Sequence, residues 1–256
     1  MIAPDFVLSA REFDILWDGL GLGPKPYPLD VPTVGRTVAE RAEVAEQVYR
    51  DLAERGLVTG WEPDERLAGQ LRLLARHDVS VDAVGHLDGP LRAVAVGDGQ
   101  HGVLAAFGED QVWQVGIRPT ALAASIVAVL PTNRTGPGRA MSVPYQAMVA
   151  AVRPTTDDDP YTFPSTGDDH ERSTLVHAGL SIRDAAELAE LAAHRRAGGQ
   201  FGISHHQRRS PVVVTWFDTA KGRYLAVRDG DWVSFAPADN DRLKARIDRI
   251  LTEVTP

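Results

Sequence analysis

The residues best suited to metal or acid–base chemistry gather in three places: His205-His206, Asp168-Asp-His-Glu171 and Asp157-Asp-Asp159. Adjacent histidines on a strand point to opposite faces and cannot share one ion without distortion, so the pair reads as structural. The run 168–171 has donors for a hard or borderline cation, but it lies in a Pro- and Asp-rich stretch, 153–171, with no apolar periodicity to supply an orienting outer shell. It reads as a solvated acidic loop. Asp157-Asp-Asp159 lacks the glycine turn and terminal glutamate of a calcium loop. Gly19, Gly21 and Gly23 have a superficial likeness to a nucleotide fingerprint, yet they follow a helical pattern and lead into prolines, whereas a phosphate cradle needs a strand before and a helix after. The chain has no Gly-x-Ser-x-Gly elbow, no His-Glu-x-x-His and no Walker lysine. With no cysteine, thiol catalysis, disulfides and thiolate metal sites are excluded. No catalytic centre is legible, and neither a metal nor a cofactor is expected.

Composition excludes further classes. The formal net charge is -8, and no Lys/Arg run is present to displace counterions from a phosphate backbone, so nucleic acid is not an expected partner. No apolar stretch approaches the roughly 18 residues that cross a bilayer, and the start lacks a basic region followed by an apolar one. A cytoplasmic protein without membrane insertion is expected. At 43% hydrophobic and 24% charged the chain should fold, and its 256 residues suit two domains or one two-lobed domain.

The elements that would position a binding surface follow from periodicity. Ser9-Ala-Arg-Glu12 and Thr37-Val-Ala-Glu40 are capping boxes, each opening a helix. A Gly/Pro linker separates them. In the second helix Val38, Ala42, Ala45, Tyr49 and Leu52 form one face, ended by Gly56, and a third helix spans 64–77. The period then becomes short apolar runs between turn residues, predicting strands at 79–86, 91–97, 102–107 and 111–117 and a helix from Pro119 to Leu130. After a helix at 143–152 and the 153–171 stretch, read as a flexible loop, the order returns. A helix at 181–196 precedes strands at 200–205, 211–217, 223–228 and 231–235 and a helix at 238–253. Helix, four-stranded meander and helix thus occur twice, which predicts duplicated lobes, about 1–152 and 172–256, with meanders that join or pack. In the second of the later strands, within Val212 to Asp218, Trp216 and Phe217 are neighbours, so both faces carry bulky apolar groups. The strand is either buried on both faces or covered on one by a partner.

Gly199-Gln-Phe-Gly-Ile203, Arg208-Arg209, Val214-Thr-Trp-Phe-Asp-Thr219, Gly222-Arg-Tyr-Leu225, Trp232 and Pro237-Ala-Asp239 resemble, in this order, the EspG family of type VII (ESX) secretion-associated proteins. Phe13-Asp-Ile-Leu-Trp17, the proline-rich linker and Thr37-Val-Ala-Glu-Arg41 extend the likeness through the N-terminal half. The resemblance implies an α+β fold: a central, mainly antiparallel β-sheet with two helical bundles and pseudo-two-fold symmetry. It implies a cytosolic chaperone, not an enzyme, that binds a PE–PPE heterodimer at the PPE helical tip and keeps it soluble for secretion. By the same analogy the partner-binding residues are Asp98, Gln100 and His101 in a strand-connecting loop, with Gln200, Phe201, Ile203 and Trp216. Two other classes stay open: a small-molecule-binding or hydrolytic enzyme of unrecognised fold, and a self-associating structural module. The oligomeric state is not legible.

Overall fold

A computed structural model describes residues 3–151, 175–177 and 179–255. The acidic runs at 157–159 and 168–171, and the whole stretch 153–171, lie outside the described residues. The chain divides into two compact units: Met1–Ala83 with Leu91–Val129 and Ser204–Arg209, and Val84–Pro90 with Leu130–Ile203 and Ser210–Pro256.

The first unit opens with a strand, β1 (Phe6–Ser9), and a helix, α1 (Ala10–Gly19). Ser9 caps α1 as its sequence demands: its Oγ accepts from the Glu12 N–H at 3.2 Å, and the Glu12 carboxylate accepts from the Ser9 N–H at 2.7 Å. Thr37 and Glu40 cap α2 (Val38–Glu54) in the same reciprocal way. A two-residue-per-strand hairpin, β2 (Val58–Thr59) and β3 (Glu62–Pro63), leads to α3 (Glu65–Ala75), whose first amides are capped by Asp64. The strands β4 (Val79–His86), β5 (Pro90–Gly97), β6 (Gly102–Gly108) and β7 (Gln111–Ile117) then run as a meander, and α4 (Leu122–Val127) follows. β1 closes the edge antiparallel to β7, Val7 opposite Trp113. Leu8, Phe13, Leu16, Leu52, Leu67 and Leu71 form the centre of the core on the α1–α3 side of this unit.

The segment after α1 is not a free linker. Asp14 is buried on α1 and receives the Lys25 ammonium, the Arg41 guanidinium at 2.8 Å and the Val34 N–H at 3.0 Å, which staples the Gly/Pro segment and the start of α2 to α1. Burial alone would raise the Asp14 pKa, but these three donors outweigh it and hold the carboxyl below its ordinary value. The helix face predicted on α2 is only partly used: Tyr49 and Leu52 are buried, joined by Val48 from outside that stripe, whereas Ala42 is exposed and Val38 is 90% exposed.

The second unit begins with β8 (Met141–Pro144) and α5 (Tyr145–Ala151). The sequence reading ran a helix from 143, but Pro144 disfavours helical geometry at Val143, and β8 pairs antiparallel with a later strand. α6 (Ile182–Ala193) precedes β9 (Arg195–His205), whose last two residues are counted with the first unit together with a short return strand, β10 (Arg208–Arg209); β11 (Val214–Thr219), β12 (Gly222–Asp229), β13 (Trp232–Ala238) and α7 (Asn240–Val254) follow in the second. The strand order in this unit is β9-β11-β12-β13-β8, with antiparallel pairing between β9 and β11, β11 and β12, β12 and β13, and β13 and β8. The fold is α+β with antiparallel sheet. In each unit a short strand followed by a helix comes first, and the short strand pairs beside the last meander strand, β1 with β7 and β8 with β13; in the first unit α2, the β2–β3 hairpin and α3 stand between α1 and the meander.

On one face of the second sheet Phe217, Tyr224, Val233, Phe235 and Val143 pack with Ala185 of α6 and Ala147 of α5. Gly85 and Gly199 permit a close backbone approach in this unit, since a Cβ on Gly85 would lie 2.4 Å from the Gly198 carbonyl oxygen and 2.6 Å from the Gly199 Cα.

Candidate partner-binding surface

A protein-binding surface needs side chains that reach solvent on a backbone held in place. The β5–β6 connection meets both conditions. Asp98 Oδ1 accepts from the backbone N–H groups of Gln100 at 2.9 Å and His101 at 2.7 Å, which closes the turn from its own side chain. Those two donors, His101 first, lower the Asp98 pKa, so the carboxylate stays charged well into the acid range. With the carboxylate folded over the turn, the side chains of Gln100 and His101 project outward, the latter 73% exposed. The turn therefore presents a polar group and a titratable ring on a geometry fixed by Asp98.

The second-unit residues divide differently. Gln200 is half-buried and sits opposite Thr215, facing the α5–α6 side. Phe201 and Ile203 alternate to the other side, and both are fully buried, as is Trp216. This corrects the expectation that these three touch a partner: their side chains are core, and β11 is covered on both faces, by Trp216 on one and Phe217 on the other. Trp216 instead roofs an internal ion pair. Arg223, with no exposed surface, donates from Nε and Nη2 to the two Asp218 oxygens at 2.7 and 2.8 Å, and its Nη1 donates to Asn240 at the start of α7. Its guanidinium carbon lies 5.3 Å from the Trp216 ring centroid, a cation–π distance. Thus Asp98, Gln100 and His101 share one turn of the first unit, whereas Phe201, Ile203 and Trp216 support a sheet of the second.

Exposed aromatic groups are where sequence reasoning fell short. Most tryptophans were expected in the core; Trp17 and Trp216 are there, but Trp61 is 62% and Trp232 53% exposed. Trp61 stands at the β2–β3 tip, 4.5 Å from the Tyr49 ring. Tyr27 is also exposed and lies against Arg209, which grips Asp82 through two bonds of 2.7 and 3.0 Å. The available signal was Gly60-Trp61 between Thr59 and Glu62, an aromatic residue in a polar turn context. Tyr, Trp and Arg are the types that dominate interface energetics. His205 and His206 do not splay as strand neighbours would, because His206 sits in the β9–β10 turn at φ 45° and the rings approach to 4.1 Å. Among the described residues no group of three His, Cys, Asp or Glu side chains is placed to hold a metal.

This architecture is that of a known chaperone structure. The type VII secretion system chaperone EspG5 of Mycobacterium tuberculosis, solved in complex with a PE25–PPE41 dimer, superposes with a TM-score of 0.74 over 96% of this chain and 95% of that one, at 17% identity. The likeness at that identity is one of fold. The sequence profile of the EspG family matches residues 9–249, and the chain belongs to that family. No curated protein matches the sequence.

Proposed function

We propose that this protein is a chaperone for type VII secretion that binds a PE–PPE heterodimer at the tip of the PPE helices, shields apolar surface there and keeps the pair soluble until export. One observation carries the reading: family membership over 9–249 coincides with a fold shared, nearly end to end, with a chaperone seen in complex with a PE–PPE dimer. The surface chemistry is compatible. Partner contact is assigned to Asp98, Gln100 and His101 in the capped turn and to the half-buried Gln200, a set of polar groups of the kind found at interface rims. The protein acts by binding rather than by catalysis, and it acts in the cytoplasm. Among the described residues no helix is long and apolar enough to cross a membrane.

The test is co-expression with PE–PPE pairs. A chaperone of this kind recovers a stoichiometric ternary complex and raises the soluble yield of the PPE protein. If no pair is retained and no PPE protein gains solubility, the proposal fails.

A further inference from the structure

On the α7 side of the second unit's sheet, the strands β12, β13 and β8 are only partly covered. Leu225 pairs with Ala236, Val227 with Ser234, and Ser234 with Ser142, so these side chains share one face. α7 buries Leu243, Ile247 and Ile250 against the sheet and leaves beside itself a groove of about 390 Å³ floored by Leu225, Val227, Ser234, Ala236 and Ser142. Two charged groups line the groove, Arg246 and Asp229, and neither side chain makes a hydrogen bond or ion pair among the described residues. The Arg246 Nε is wholly withdrawn from solvent and has no acceptor. Trp232, half exposed, lies two residues along β13 from Ser234 and so on the same side.

We propose that this groove docks one amphipathic helix of a partner protein, whose apolar stripe carries a carboxylate that pairs with Arg246. The Arg246 Nη groups, unlike its Nε, reach the surface and have no acceptor, and a carboxylate brought into the groove satisfies them with charge-assisted hydrogen bonds. Asp229 offers the opposite charge to a basic residue on the helix flank. The occupant is a helix rather than an added strand because β8 is four residues long and ends at Pro144, which leaves little ladder to extend. Three strands spaced about 4.8 Å apart make a floor roughly 10 Å wide, close to a helix diameter of about 10–12 Å. Ser142, Ser234 and Ala236 keep that floor low. Trp232 supplies an aromatic anchor at one end.

The inference rests on the groove and not on the chaperone reading. The probes are two hydrocarbon-stapled, fluorescein-labelled helical peptides with the same leucine stripe, one with glutamate and one with lysine at its centre, titrated by fluorescence anisotropy against the full chain. The glutamate peptide is expected to bind at least tenfold more tightly, Arg246→Glu to invert the preference, and Ser234→Arg, at an exposed position, to abolish binding of both with its thermal midpoint unchanged. Failure of the glutamate peptide to bind, equal binding of the two, or a glutamate preference that survives Arg246→Glu or Ser234→Arg overturns the proposal. Concentration-dependent dimerisation that Ser234→Arg removes would assign the groove to a second copy, and overturns it too. A PE–PPE heterodimer that binds the wild type and Ser234→Arg equally leaves the chaperone function standing, so the two ideas fail separately.

Discussion

Replacing Arg223 by methionine keeps an unbranched apolar stem in place and removes only the guanidinium. Asp218, whose side chain is 11% exposed, then loses both of its charge-assisted bonds while remaining shielded from water. Stranding a buried charge in this way costs about 3–5 kcal/mol. Loss of the Trp216 contact and of the bond to Asn240 acts in the same direction. Against a total stability of about 5–15 kcal/mol for a typical protein, the second unit should be severely weakened. The double variant Arg223→Met with Asp218→Leu should recover at least half of the loss, since most of the penalty belongs to the unpaired carboxylate and not to the absent pair. Urea unfolding followed by both fluorescence and ellipticity reads these differences, and coincidence of the two probes shows whether one transition describes the chain. A single variant destabilised by less than about 1 kcal/mol, or a double variant no more stable than the single, would refute the argument that this pair is held by mutual satisfaction of buried charge.

Asp14→Asn should cost about 2–3 kcal/mol at neutral pH, because hydrogen bonds to a charged group are the stronger kind. The folded pKa of Asp14 is depressed, so its contribution is complete above the unfolded carboxylate value of about 3.9 and is lost as pH falls through the folded value. The gap in melting temperature between wild type and variant should therefore close below about pH 4; a gap constant down to pH 2 contradicts this. Gly85→Ala drives a methyl into the backbone of Gly198 and Gly199 and should destabilise by about 1–3 kcal/mol, measured by denaturant midpoint. Gln100→Glu with His101→Asp should leave stability within about 0.5 kcal/mol, since both side chains are exposed. The same pair of changes should weaken capture of a PE–PPE pair about tenfold, or 1.4 kcal/mol, in calorimetry. Superposing 64–130 on 181–253 should align the two meanders strand for strand, and unrelated strand paths would dismiss duplication.

Much of the fold was legible because its signals are local. Both capping boxes, the 3.6-residue stripes and the turn residues between the meander strands each declare their element within a window of a few residues. What escaped depends on distant partners. β1 is a strand because β7, about a hundred residues later, pairs with it, and β8 is one because β13 does. Asp14, Lys25, Val34 and Arg41 are unremarkable until the fold brings them together. The surface was harder still. Alternation along β9 and β11 places Phe201, Ile203 and Trp216 on one side, but the sequence does not say that α7 covers that side, and so a buried anchor and an exposed one look alike. Trp61 and Trp232 were passed over for the converse reason, since an aromatic residue in or beside a strand is more often core.

The central claim is that this fold serves to hold a PE–PPE pair, and isothermal titration of the purified chain against a panel of co-purified PE–PPE heterodimers tests it most directly. The account predicts one-to-one binding to at least one heterodimer, with a negative heat-capacity change from burial of apolar surface at the PPE tip. Binding to none of them, by a chain shown to be folded, would contradict it.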